Sequence, residues 1–391
     1  MNKQCEHFGR CGGCTYLDIP YPQELEIKEK TLVETLGEYG HLVEKLHPAP
    51  HTSGYRNKME LAFGDEGKDG RMALGMRKQR SFYEVATPEN CVLICDDFKR
   101  IIMYVLEYFR ASGEMVFHRK RHIGALRHLV LRRGEFTGEV LLNLSTTSTL
   151  KTPLGPLVEG LCGLKLDGKI VGILHSINDG VADAVKNENV NLLFGREYYY
   201  EKICDMKFKV SAFAFFQTNS AGAEVLYGLV RSYAAANGNH GHISESSLAY
   251  DLYCGTGTIA QILSPYFQKV LGIEIVEDAI KAAKDNAQLN SITNCSFYAG
   301  DVQDVIKEHP ATPDVVVVDP PRDGLHPKTL PLIARLNAPR LVYVACKPKS
   351  LARDLHLLVA EGYTVKKIEG MDMFPRTPHV EAIVLLQRRD S

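Results

Sequence analysis

Residues 248–260, LAYDLYCGTGTIA, decide how the second half of the chain folds. An apolar run, a glycine-rich turn and the opening of a helix follow one another there without a gap. Gly255 and Gly257 omit side chains where the backbone turns tightly and a ligand can come close. Seventeen residues past Gly257, Glu274 stands near the end of a second apolar run, KVLGIEI. An acid at that place can accept hydrogen bonds from both hydroxyls of a ribose. The pattern points to an adenosine-type cofactor on a doubly wound sheet. Gly255, Gly257 and Ala260 also satisfy G-x-G-x-x-A, so a nicotinamide cofactor stays open, as does a turn that binds nothing.

Around this stretch strands and helices alternate. LAYDLYC, KVLGIEI, CSFYAGD, PDVVVVDPP and RLVYVAC read as strands, with helices such as EDAIKAAKDNAQLN and KSLARDLHLLVAEG between them. Near-continuous apolar strands separated by amphipathic helices predict a mostly parallel sheet covered on both faces. GYTVKKIEGMDMFP and HVEAIVLLQRR, joined by a short link, predict a terminal antiparallel pair. Ligands in such sheets sit at the carboxyl ends of the strands, which places Tyr253, Glu274, Asp301, Asp319 and Cys346 along one rim.

The first half reads differently. Cys5, Cys11 and Cys14 form C-x5-C-x2-C laced with Gly9, Gly12 and Gly13, a loop able to fold thiolates around a metal; Cys91 and Cys95 are candidates for a fourth ligand. Thiolates alone put zinc first, and an iron–sulfur cluster uses the same ligands. Residues 21–39 predict an amphipathic helix, with Leu25, Leu32, Val33 and Leu36 on the packed face, Glu24–Lys28 and Glu26–Lys30 paired on the other, and Gly40 as its stop. From 55 to 195, alternating runs such as MELAFG, RMALGM, ALRHLVLRRG and EVLLNL predict a compact antiparallel domain. Within it, residues 117–134 carry Arg119, Lys120, Arg121, Arg127, Arg132 and Arg133 with no acid, either a phosphate-contacting strip or a solvated face. Residues 237–247, NGNHGHISESS, read as a surface loop.

A chain of 391 residues, 45% hydrophobic and 24% charged, has room for two or three cores. The net charge of −1 confines any nucleic-acid surface to a local patch. No apolar stretch approaches bilayer length, and ten cysteines without a secretory signal argue for a reducing, cytoplasmic setting.

Three residues suggest one reaction. Asp319 heads Asp319-Pro320-Pro321-Arg322, where two prolines set a rigid acceptor suited to the edge of a nucleobase. Cys346 ends the fifth strand at a helix start beside Lys347 and Lys349, which would favour thiolate. Glu381 is a lone acid in the apolar run of the last strand, fit for proton transfer if its pKa is raised. A thiolate adding to carbon 6 of uracil makes carbon 5 nucleophilic enough to take a methyl group from a sulfonium. A base then removes the carbon 5 proton and the thiolate leaves. A base in folded RNA would have to be turned out of its stack to reach such a cleft.

C-x5-C-x2-C with a distant fourth cysteine, FFQTN, DLYCGTG, GIE, DPPR-x-GL, a cysteine–proline strand end with LARDL, and FPRTPHVE occur here in that order. On these motifs the chain resembles the S-adenosylmethionine-dependent RNA uracil-5 methyltransferases that carry a 4Fe–4S cluster. The resemblance runs from Cys5 to the end. It implies a class I methyltransferase fold over residues 205–391, an iron–sulfur loop and helix over 1–46, and a β-rich, RNA-binding region over 47–204 that supplies the fourth cluster ligand. It implies cluster ligands at Cys5, Cys11, Cys14 and Cys91, and a structural or RNA-contacting cluster. Cofactor contacts fall at Gln217, Tyr253, Gly255, Glu274, Asp301 and Asp319, the nucleophile at Cys346 and the base at Glu381. RNA is the implied partner, with ribosomal RNA favoured over transfer RNA and the protein expected to be monomeric. The family often has S-C-N-P where this chain has Ala345-Cys346-Lys347-Pro348. Many relatives also begin with a small RNA-binding β-barrel, whereas this sequence opens at the cysteine loop. A nicotinamide-dependent oxidoreductase and a non-catalytic RNA-binding protein are the alternatives; neither gives DPPR, Cys346 and Glu381 a joint task.

Overall fold

The computed structural model describes residues 5–67, 70–81, 84–118, 120–180, 189–235 and 247–389. In chain order, helix α1 (Tyr21–Leu36) leads into strand β1 (Val43–His47). Next come β2 (Lys58–Asp65), β3 (Met72–Arg77), β4 (Val85–Ala86), α2 (Asp96–Ser112), β5 (Leu126–Arg133), β6 (Glu139–Thr146), α3 (Gly155–Cys162), β7 (Lys169–Ile177) and β8 (Val190–Gly195). A hairpin of β9 (Tyr198–Ile203) and β10 (Met206–Ser211) then delivers the chain to α4 (Ser220–Ala234). Strict alternation begins there: β11 (Leu248–Leu252), α5 (Thr258–Leu263), β12 (Lys269–Glu274), α6 (Glu277–Leu289), β13 (Cys295–Ala299), α7 (Val302–Glu308), β14 (Val315–Val318), α8 (Leu330–Arg335), β15 (Arg340–Ala345) and α9 (Pro348–Ala360). Two long strands, β16 (Tyr363–Met371) and β17 (Glu381–Arg388), close the chain.

An eight-stranded sheet in the order β1-β16-β17-β15-β14-β11-β12-β13 forms the larger layer. Its strands β11 to β15 pair in parallel, while β17 runs antiparallel to both β15 and β16. The four valines of β14 are fully buried at its middle, as expected of a strand covered on both faces. Side chains of α4, α5 and α6 pack one face, and those of α1, α7, α8 and α9 the other. The strand from the N-terminal segment, β1, joins the edge of this sheet in parallel with β16.

The second sheet has seven strands in the order β4-β3-β2-β5-β6-β7-β8, with α2 and α3 packed on one face. It is not wholly antiparallel as expected: β6 and β7 pair in parallel, because α3 carries the chain back across the sheet between them.

Three further expectations are corrected. Helix α1 stops at Leu36, where Gly37 turns with φ +58°, ahead of Gly40. Its Glu24–Lys28 pair is buried and faces Asp372, not solvent. The basic run is no strip either. Arg132 is buried and donates to the carbonyls of Ala212 (2.7 Å) and Ala214. Arg127 is buried too, donating to Asn178 and Gly180 and lying 4.3 Å above the Phe117 ring. Arg133 meets Glu135 and Asp97. Lys120 and Arg121 face solvent, and Arg119 lies outside the described residues. β5 is covered on both faces, so its three arginines turn to carbonyls and carboxylates of the protein itself. The polar loop read at 237–247 lies outside the described residues except for Ser247. Among the described residues no helix is long and apolar enough to cross a membrane.

Candidate functional site

The glycine turn leaves β11 at Tyr253, a non-glycine residue with φ +66°, and passes through Gly255 (φ +52°) and Gly257 (φ +74°). A Cβ on Gly257 would come within 2.7 Å of Phe297 and 2.9 Å of Ala283, so the turn packs against β13 and α6 only with glycine there. Glu274 at the end of β12 reaches back over the turn. One carboxylate oxygen accepts from the Gly255 amide at 3.2 Å and the other from Val276 at 3.0 Å, which fixes its direction. Below the turn, the buried Asp251 accepts from the Ala260 amide at 2.8 Å, while its other oxygen has no partner among the described residues. Burial lifts its carboxyl well above the usual range. Asp301, at the end of β13, accepts from Gln303 at 2.8 Å as the cap of α7 and is exposed at the rim. The Tyr253 phenol is half-buried, and the charges of Asp301 and Glu274 add to that burial in raising its pKa.

Two strand pairings bring the remaining groups together. In the parallel pair Val318 lies beside Tyr343, which puts Asp319 next to the end of β15. In the antiparallel pair Ala345 lies opposite Ala382, so Cys346 and Glu381 follow one step on, across from each other. Burial and neighbouring charge act on the three groups unequally. Burial, then the carboxylates of Glu381 and Asp319, raise the Cys346 thiol to about 11, with Arg322 pulling the other way. Burial and then Asp319 raise Glu381 to about 8, again opposed by Arg322. Burial alone raises Asp319 to about 7. Burial and the Asp319 charge thus both work against an ionised Glu381. The lowering of the Cys346 thiol expected from Lys347, Lys349 and the helix start is not what the surroundings favour: both lysines face solvent, and burial with the carboxylates of Glu381 and Asp319 acts the other way.

The loop around Asp319 is clamped by α9. Ser350 Oγ donates to the Arg322 carbonyl at 2.9 Å, and Arg353 donates to that of Asp323 at 2.7 Å. Asp354 accepts from the Leu325 amide and the Tyr343 hydroxyl, each at 2.7 Å. The LARDL stretch thus holds DPPR-x-GL in place. Gln217 enters from the segment after β10, beside the buried hydroxyl of Tyr227 on α4. That hydroxyl also feels Asp319, Asp251 and Glu381, which with burial push its pKa up. Phe215, 73% exposed, stands two residues earlier. Sequence inspection missed Tyr227, Asp251 and Arg322. Only Arg322 had a signal there, as the cation of the DPPR corner.

Cys5, Cys11, Cys14 and Cys91 gather at the other end of the chain. Burial raises Cys14 to about 12, and its neighbours Cys91, Cys11 and Cys5 contribute to the shift. Cys91 is raised likewise by burial, with Cys5 and Cys11 adding. The charged groups around Cys95 are Arg133, Asp97 and Glu135 instead. Among the described residues no three His, Cys, Asp or Glu side chains converge as around one metal ion.

The profile of the tRNA (Uracil-5-)-methyltransferase family matches residues 192–389. An uncharacterised RNA methyltransferase of Clostridium tetani is 43% identical across 100% of this chain and 85% of its own length. One from Clostridium acetobutylicum is 44% identical across 99% and 84%. Among solved structures, the Pyrococcus abyssi tRNA (uracil-54, C5)-methyltransferase in complex with S-adenosyl-L-homocysteine superposes with a TM-score of 0.79 at 28% identity, covering 96% of this chain and 86% of that one. With its sheet order, its glycine turn and these matches, the chain belongs to the tRNA (uracil-5-)-methyltransferase family.

Proposed function

We propose that this chain transfers a methyl group from S-adenosylmethionine to carbon 5 of a uridine in structured RNA, through a covalent bond between Cys346 and the ring. The observation that carries this is the meeting of Cys346, Asp319 and Glu381 in one buried cleft beside the glycine turn. A nicotinamide cofactor would use the turn equally well but leaves those three without a shared task. Transfer RNA, named for the family and for the Pyrococcus abyssi enzyme, stands beside ribosomal RNA as the substrate class.

Glu274, Gly255, Tyr253, Gln217, Asp301 and Asp319 line the place where S-adenosylmethionine would sit. When bound, it supplies an electrophilic methyl group on a cationic sulfur, and that positive charge favours ionised neighbours. Asp319, rigid at the end of β14, orients the uracil edge, and the exposed Phe215 ring offers a surface on which a base turned out of its stack can lie. Cys346, its proton passed to solvent water, forms a bond to carbon 6 from the thiolate, and the double-bond electrons move onto carbon 5 and the carbonyl oxygen. With carbon 5 methylated, Glu381 takes the carbon 5 proton. The electron pair left behind restores the ring double bond and expels the Cys346 thiolate.

We infer that Cys5, Cys11, Cys14 and Cys91 hold a 4Fe–4S cluster. Cys14 lies within electrostatic reach of Cys5, Cys11 and Cys91, and Cys91 of Cys5 and Cys11, which makes them a set of four thiols of the kind such a cluster needs. Bound there, it would staple the N-terminal loop to the segment before α2. Protein purified without oxygen is expected to be brown, with iron lost on Cys91→Ser and kept on Cys95→Ser. Equal loss from both variants, or zinc in place of iron, would count against this ligand set.

Cys346→Ala is expected to abolish methylation. Glu381→Gln should accumulate a protein–RNA adduct that survives denaturing electrophoresis. Residual turnover in the first variant would rule out the covalent route.

The pH dependence follows from Glu381. Its active form is the unprotonated one, and burial with Asp319 raises it to about 8. Product release from a preformed adduct should therefore quicken roughly tenfold per pH unit below about pH 7 and level off above about 8. A release rate that stays flat between about pH 6 and 9 would contradict Glu381 as the base.

A further inference from the structure

Residues 372–377 connect β16 to the approach of Glu381, and four consecutive carbonyls in this loop are each bonded to a different part of the chain. Met373 accepts from Asn219 at 2.9 Å, beside the start of α4. Phe374 accepts from the Lys28 ammonium of α1 at 3.2 Å. Pro375 accepts from the Tyr55 hydroxyl at 2.9 Å. Arg376 accepts from the amides of Thr15 and Tyr16, at 2.6 and 3.1 Å, immediately after Cys14. At the centre lies a buried charge network. Lys28 uses its remaining hydrogens on Glu24 (2.7 Å) and Asp372 (2.8 Å). Glu24 takes the Arg376 amide at 2.6 Å and its guanidinium at 3.3 Å. Asp372 takes the Tyr21 hydroxyl at 2.9 Å, which itself accepts from the Ala49 amide at 2.8 Å. Two acids and two cations balance, with Glu24, Lys28 and Asp372 fully enclosed. Arg376 is held at φ +70°, a conformation that costs a non-glycine residue energy.

Stability alone is a weak explanation for such a centre. Removing paired charges from water is costly, and apolar side chains of similar volume often serve as well. Apolar packing cannot, however, fix a loop through its successive carbonyls. We propose that the Glu24–Lys28–Asp372–Arg376 network is a positioning device for Glu381, with Lys28 and Arg376 as positioning residues. It holds 372–377 so that the carboxylate faces carbon 5 when Cys346 is bonded to carbon 6. Through Thr15 and Tyr16 the cysteine segment takes part in the same placement. The proposal rests on Glu381 being the base.

Its test separates the attack of Cys346 from the work of Glu381. RNA with 5-fluorouridine at the target position stalls as an adduct, because carbon 5 then carries no removable proton. Lys28→Met should form this adduct at close to the unsubstituted rate. Its turnover on ordinary RNA should fall roughly tenfold to a hundredfold, with adduct accumulating, as for a misplaced catalytic group. Tyr21→Phe, which keeps every charge, should shift the same balance in the same direction but less, and it decides the matter if Lys28→Met does not fold. Equal losses in adduct formation and turnover, or unchanged turnover in both variants, would overturn the positioning role. No adduct with the unsubstituted protein would instead overturn the reaction assigned to the site, and the positioning role with it.

Discussion

Everything at the site depends on one strand running the wrong way. β17 enters between β15 and β16 antiparallel to both, so its first residue, Glu381, arrives at the same sheet edge where β15 ends with Cys346 following. A parallel strand in that place would bring its carboxyl end to this rim and its opening residue to the far side. The pairing of Ala345 with Ala382 sets the register, and a slip of one residue would turn Glu381 to the other face. The buried apolar side chains of β15 and β17 on both faces hold that register.

The same geometry makes the cleft electrostatically demanding. Asp319, Glu381 and Cys346 are three acidic groups enclosed together, with Arg322 the cation that opposes the shifts of the last two. Burial raises all three, so a cation placed beside them would favour their ionised forms. Its walls are rigid for identifiable reasons: two prolines after Asp319, the bonds from α9 to 322–325, and the glycine turn packed against Phe297. Preorganised groups need no rearrangement during reaction, and that is where such sites gain rate.

Much of this was legible in the sequence. The apolar runs marked β11 to β17, and the rule that ligands gather at carboxyl strand ends placed Tyr253, Glu274, Asp301, Asp319 and Cys346 along one rim. What escaped depended on contacts between distant segments. Glu24 and Lys28 at i,i+4 spacing look alike on a wet or a dry face, and only Asp372, far along the chain, decides which it is. The cations of β5 looked like a strip because a run of letters does not show that Arg132 meets the carbonyls of 212 and 214 and Arg127 those of 178 and 180. Cys346 looked ready to ionise beside two lysines, whereas the nearer charges come from strands ending at 318 and beginning at 381. The parallel pairing of β6 with β7 was hidden behind α3, whose eight residues are a weak helical signal.

The claim that carbon 5 is the methylated atom, and that its proton leaves to a base in this cleft, is tested most directly with RNA carrying tritium at carbon 5 of its uridines. Methyl incorporation and tritium release to water should proceed together, one for one, because each carbon 5 that gains a methyl group must lose its hydrogen. Methyl transfer with the tritium retained would place the reaction on another atom and contradict the roles given to Cys346 and Glu381.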